Sequence, residues 1–142
     1  MRRLRQAVPH PRGGRGGVVV GTTSGGEKVE LALQAGADHV VGYDRFRDIV
    51  DEASDGAGAH VVYDGVGKDT FDDGLAALRP RGMMVLYGAA SGQVPPVDPQ
   101  RLNSGGSLFL TRPTLVHYVA DRTELRWRAG EGIRTIPDGH YT

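Results

Sequence analysis

Thr22, Thr23 and Ser24 stand about one helical turn ahead of Lys28, bringing hydroxyls and an ammonium into one short stretch. Hydroxyls and a positive charge suit a phosphate, whereas a carboxylate in their place would repel one. A lysine at a helix start is otherwise only a solvated charge, so position must decide between the two readings. Further small-residue clusters follow at Gly42-Tyr43-Asp44, Asp64-Gly65-Val66-Gly67, Gly88-Ala89-Ala90-Ser91-Gly92 and Thr111-Arg112-Pro113. Such residues let a ligand approach the backbone closely, although they also serve simply to turn a chain. The G-x-G-x-x-G phosphate fingerprint is not met. Gly14-Arg15-Gly16 precedes an apolar run instead of following one, and Thr70 stands where Gly65-Val66-Gly67 would need its third glycine.

Other chemistries fall away. The chain has no cysteine, which removes disulfides, thiolate catalysis and thiolate-zinc sites. His10, His39, His60, His117 and His140 show no metal-ligand spacing, and no Ser-His-acid arrangement can be assembled. Neither a catalytic side chain nor a metal site is assigned.

The elements that must position these clusters are legible as short apolar runs. Val18-Val19-Val20, His39-Val40-Val41, His60-Val61-Val62-Tyr63, Met83-Met84-Val85-Leu86-Tyr87 and Ser107-Leu108-Phe109-Leu110 begin 21, 21, 23 and 24 residues apart. They are nearly continuous, as strands buried on both faces of a parallel sheet are. Between them lie helical stripes: Phe46, Ile49, Val50 and Ala53; then Phe71, Gly74, Leu75 and Leu78; and, more weakly, Val29, Ala32 and Leu33. Asp121 and Glu124 predict a capping pair for a last helix through Leu125. This βα repeat predicts an α/β fold with a Rossmann-like doubly wound parallel sheet. Every cluster above then falls at the carboxyl end of a strand, where such sheets bind ligands.

Length and charge frame the rest. The 142 residues allow one ordinary domain, and 33 Leu, Ile, Val and Phe supply a lean core. The net charge of zero divides unevenly. Arg2, Arg3, Arg5, Arg12 and Arg15 make residues 1–15 a basic, unstructured leader without an acid, leaving an acidic body. The neutral balance predicts no nucleic-acid partner. No apolar stretch is long enough for a membrane span, and a cytoplasmic location is the default expectation.

Gly21 to Ala37, the string Val62-Tyr63-Asp64-Gly65-Val66-Gly67-Lys68-Asp69-Thr70-Phe71, Leu78-Arg79-Pro80-Arg81-Gly82, and Gly105-Gly106-Ser107-Leu108-Phe109-Leu110-Thr111-Arg112-Pro113-Thr114 closely resemble the NADPH-dependent quinone oxidoreductases. These form the zinc-free, zeta-crystallin-like branch of the medium-chain dehydrogenases. The likeness covers about residues 16–130 and implies a partial Rossmann domain there, with 131–142 an irregular tail. It implies NADP(H) as cofactor and hydride transfer to a small-molecule quinone or related enone. Ser24 and Lys28 match the family's 2′-phosphate contacts and Tyr43 its adenosine-side tyrosine. Val66, Tyr87, Gly88 and Ala89 match positions beside the nicotinamide, with Ala89 replacing the family's usual asparagine. A homodimer through strand 107–110 is also implied.

Members of that family are longer, with an N-terminal GroES-like domain. The central first strand and its glycine turn have no counterpart before Val18, so the expected sheet is incomplete. Either the strands beginning at Val18 and His60 pair directly, or the sheet is weakened between them. A non-catalytic dimerisation module and an inactive gene fragment are the alternative readings.

Overall fold

The computed structural model describes residues 17–134. It divides into two compact units, the first ending at Arg112 and the second beginning at Pro113. The leader lies outside the described residues, as does the tail beyond 134.

In the first unit the strands are β1 (Val20–Thr22), β2 (His39–Val41), β3 (Ala59–Asp64), β4 (Leu78–Leu86) and β5 (Phe109–Thr111). The helices α1 (Lys28–Gln34), α2 (Phe46–Ala53), α3 (Phe71–Ala76) and α4 (Gln100–Ser104) lie between them. All strand pairs are parallel, which makes this a partial Rossmann-like α/β fold. In the second unit, α5 (Leu115–Tyr118) precedes α6 (Arg122–Arg134). Asp121 caps α6, its Oδ2 accepting from the backbone N–H groups of Thr123 and Glu124 at 3.0 Å each. Glu124 does not complete the expected reciprocal pair, since it engages Arg128 one turn on instead. The helix continues through the boundary placed at residue 130.

Direct pairing of the first and third strands does not occur. Among the described residues the strands form two sheets, β1-β2 and β3-β4-β5. Pairing would need the β1 and β3 edges in hydrogen-bond register, and the packing holds the strands by side chains instead. Phe46 and Val50 of α2 are buried with Ala77, against Val20 and Val41 from the first sheet and Ala59 from the second. One helix therefore underlies both sheets.

The larger core lies on one face of the three-stranded sheet. Val62, Met84 and Leu110 occupy one row across β3, β4 and β5, packed with Phe71, Leu75, Leu78, Leu86 and Leu108. The neighbouring row, Val61, Met83 and Phe109, alternates to the opposite face and is exposed, as the period of two in a strand requires.

Two elements differ from expectation for local reasons. β4 starts at Leu78, pairs with Ala59, and then shifts register before Met83 joins Val61. Arg81 adopts φ +62° within this irregularity, and a Cβ on Gly82 would lie 2.9 Å from the carbonyl oxygen of Arg79. β5 begins only at Phe109, after Gly106 and Ser107 take positive φ and Leu108 turns into the core.

Candidate functional site

The carboxyl ends of β1 and β2 enclose an open cleft of about 430 Å³, lined in part by Thr23, Ser24, Val41, Gly42, Tyr43 and Asp44. Thr23 anchors it. This residue is buried, its backbone N–H donates to the Val41 carbonyl at 3.0 Å, and its hydroxyl accepts from the Gly25 N–H at 3.3 Å. Gly25 and Gly26, at φ +98° and +72°, then redirect the chain into α1. Ser24 and Tyr43 share this cleft, whereas Lys28 opens α1 and is not among its lining residues. Asp44, which the sequence offers only as a member of the Gly42-Tyr43-Asp44 cluster, also lines the cleft. Its carboxylate folds back over Gly42, where a Cβ would stand 2.5 Å from Oδ1.

A second cluster forms at the carboxyl ends of β3 and β4, where the turns 64–70 and 87–92 lie backbone against backbone. Gly67 and Gly92 form a parallel bridge. Ala90 donates to the Gly65 carbonyl at 3.1 Å, and Lys68 to that of Gly92 at 3.2 Å. A Cβ on Gly88 would collide with the Gly65 carbonyl oxygen, and one on Gly67 would lie 2.6 Å from that of Gly92. The Tyr87 ring covers Gly65, leaving 2.8 Å to an added Cβ there. The structure thus brings Val66, Tyr87, Gly88 and Ala89 into one wall.

Asp64 is the hub of that wall and is only 1% exposed. Its Oδ1 accepts from the N–H groups of Val66 at 2.7 Å and Gly67 at 3.0 Å, and its Oδ2 from the Thr70 hydroxyl at 2.9 Å. Its carbonyl accepts from the Tyr87 and Gly88 N–H groups. An aspartate closing an apolar run just before glycines is an Asx-turn signal, so this role could have been found in the sequence. Ser91 could not, because its contacts depend on the register between β3 and β4. No group of His, Asp and Glu among the described residues could hold a metal ion, and no helix there is long and apolar enough to cross a membrane.

Comparison with known proteins places this arrangement. The family profile described as zinc-binding dehydrogenase matches residues 13–126. A 2-haloacrylate reductase from Burkholderia is 45% identical over 113 residues, covering 78% of this chain and 34% of that protein. A mycobacterial structure solved with NADPH is 49% identical at a TM-score of 0.79, covering 84% of this chain and 38% of the other. The quinone oxidoreductase of Escherichia coli, also solved with NADPH, is 38% identical at a TM-score of 0.79, covering 84% of this chain and 37% of the other. The chain therefore spans little more than a third of the length of these relatives.

Proposed function

Because the chain belongs to the zinc-binding dehydrogenase family, we propose that it is the NADP(H)-binding part of a reductase that transfers hydride to a quinone or related enone. One observation carries this reading: Thr23, Ser24 and Tyr43 gather in a cleft at the carboxyl ends of parallel strands, where dinucleotides bind. The wall at β3 and β4 fits the other end of the same ligand, since it lies at the carboxyl ends of parallel strands, with glycines that let its two turns pack backbone against backbone. Ser24 and Tyr43 would hold the adenosine end, with Lys28 supplying positive charge from the start of α1. Val66, Tyr87, Gly88 and Ala89 would flank the nicotinamide. NADPH supplies a hydride when bound, and the chain's part is to orient the ring and exclude water, which needs no acid or nucleophile from this chain. The relatives are named for quinones and for a 2-haloacrylate. Those acceptors share a carbon–carbon double bond conjugated to a carbonyl, so an α,β-unsaturated carbonyl is the substrate class.

Titration with NADPH and NADH, followed by nicotinamide fluorescence, tests the binding claim. Saturable binding that favours NADPH is expected, with Tyr43→Ala weakening it by about tenfold through loss of an aromatic contact. Absence of saturation at millimolar NADPH would remove the reading.

Homodimerisation through the last strand is the second reading, favoured by β5 lying at the sheet edge with Phe109 56% exposed. Leu108 faces the core at 7% exposure, so Phe109→Lys is the variant that probes the edge without opening the core. Light scattering should show a dimer for the wild type and a monomer for Phe109→Lys, and equal masses for both would count against it.

A further inference from the structure

We propose that Ser91 is a positioning residue that clamps Val66 for the cofactor's nicotinamide ring. The inference rests on reading the β3–β4 wall as the nicotinamide end of the site. The Ser91 hydroxyl donates to the Val66 carbonyl at 2.8 Å and accepts from the Asp69 N–H at 3.0 Å, bridging the 64–70 turn at two points. The Ser91 N–H also donates to the Val66 carbonyl at 2.8 Å. On the other side, the Val66 N–H is taken by Asp64 Oδ1 at 2.7 Å. Both backbone polar groups of Val66 are therefore engaged within the protein, and only its side chain remains to meet a ligand.

This arrangement has a chemical consequence. A peptide pinned at its carbonyl by two donors and at its N–H by a buried carboxylate resists rotation about the adjacent bonds. Val66 is thus presented at a set position before any ligand arrives, and preorganisation of this kind reduces the ordering cost of binding. The carbonyl is also occupied, so it does not compete for the carboxamide of an incoming ring. Ser91 acts entirely through Val66 and Asp69 and belongs to the turn after β4, which makes its effect separable from the β1–β2 cleft.

The test compares Ser91→Ala and Ser91→Thr with the wild-type chain, using NADPH and 2′,5′-ADP, a fragment that carries the phosphorylated adenosine end without nicotinamide. The Ser91 backbone N–H survives either substitution, so the turn keeps part of its tie to Val66. Ser91→Ala removes both hydrogen bonds of the hydroxyl and should weaken NADPH by about three- to tenfold, while leaving 2′,5′-ADP unchanged. It should also reduce the change in nicotinamide emission on binding, and Ser91→Thr, which retains the hydroxyl, should restore most of both. If both ligands bind and Ser91→Ala weakens them equally or not at all, the positioning role is overturned while the cofactor reading stands. If the wild type binds neither ligand, the cofactor reading fails and this inference with it.

Discussion

Gly88→Ala is expected to destabilise the first unit by on the order of 3 kcal/mol, the upper range for forcing a methyl group into packed structure. The added Cβ would collide with the Gly65 carbonyl oxygen and stand 2.6 Å from the Gly65 Cα and 2.8 Å from its carbonyl carbon. These are backbone atoms, and they have little freedom to retreat. The Gly65 carbonyl is held by the Ala90 N–H, and the Tyr87 and Gly88 N–H groups both donate to the Asp64 carbonyl. Relief would require parting the two turns, which breaks several of these bonds together. Urea denaturation followed by circular dichroism measures the loss. Gly130→Ala is a control of opposite sign, because it lies within α6 and the added methyl meets nothing within 4 Å beyond its chain neighbours and the helix's own backbone. It should be neutral or stabilising by up to about 1 kcal/mol. A Gly88→Ala midpoint equal to the wild type would show that the two turns are not in the contact described.

Asp64→Ala carries the second large effect, a loss of about 3 kcal/mol or more. The substitution strands the N–H groups of Val66 and Gly67, which donate to this carboxylate, while the Thr70 hydroxyl keeps the Gly67 carbonyl as a second acceptor at 3.4 Å. Each buried donor left without an acceptor costs about 1–3 kcal/mol, and bonds to a charged group are the stronger kind. Thr70→Val removes one donor from Asp64 Oδ2 and leaves both amides bound to Oδ1, so it should cost less, about 1–2 kcal/mol. The comparison separates the hub from one of its spokes. Equal losses for Asp64→Ala and Thr70→Val would mean that the two amides are satisfied in some other way.

The strands were legible as short continuous apolar runs such as Val18-Val19-Val20 and His60-Val61-Val62-Tyr63, but burial of both faces does not follow, since Val18, Val61, Tyr63, Met83 and Phe109 are exposed. The α2 stripe of Phe46, Ile49, Val50 and Ala53 was equally plain, and Phe46 and Val50 are the buried members. Elements set by backbone conformation were not legible. The irregular start of β4 depends on Arg81 at positive φ, and short α4 and α5 offer too few residues for a period to emerge. In the run Ser107-Leu108-Phe109-Leu110, composition alone could not say which side chain turns inward, and the positive φ at Gly106 and Ser107 resets that parity. At the site, Ser24 and Tyr43 could be placed together because both follow strands. Lys28 could not, since its reach depends on how Gly25 and Gly26 aim α1. Asp44 was read only as part of a strand-end cluster, and its carboxylate enters the cleft because Gly42 leaves it room.

The single helix beneath both sheets has a thermodynamic consequence. The β1-β2 pair shares no strand pairing with β3-β4-β5 among the described residues, so the two are coupled through Phe46, Val50 and their apolar neighbours. Apolar contacts of this kind are non-directional, and they hold two ladders together less cooperatively than a continuous run of backbone bonds does. The β1-β2 pair is then expected to exchange its amide hydrogens by local opening while β3-β4-β5 stays protected, which hydrogen exchange would measure. A dinucleotide spanning the two would bind only when both are closed, so its binding energy would appear as cooperativity between them. In that sense the ligand would do for this chain what a central strand does for a continuous sheet.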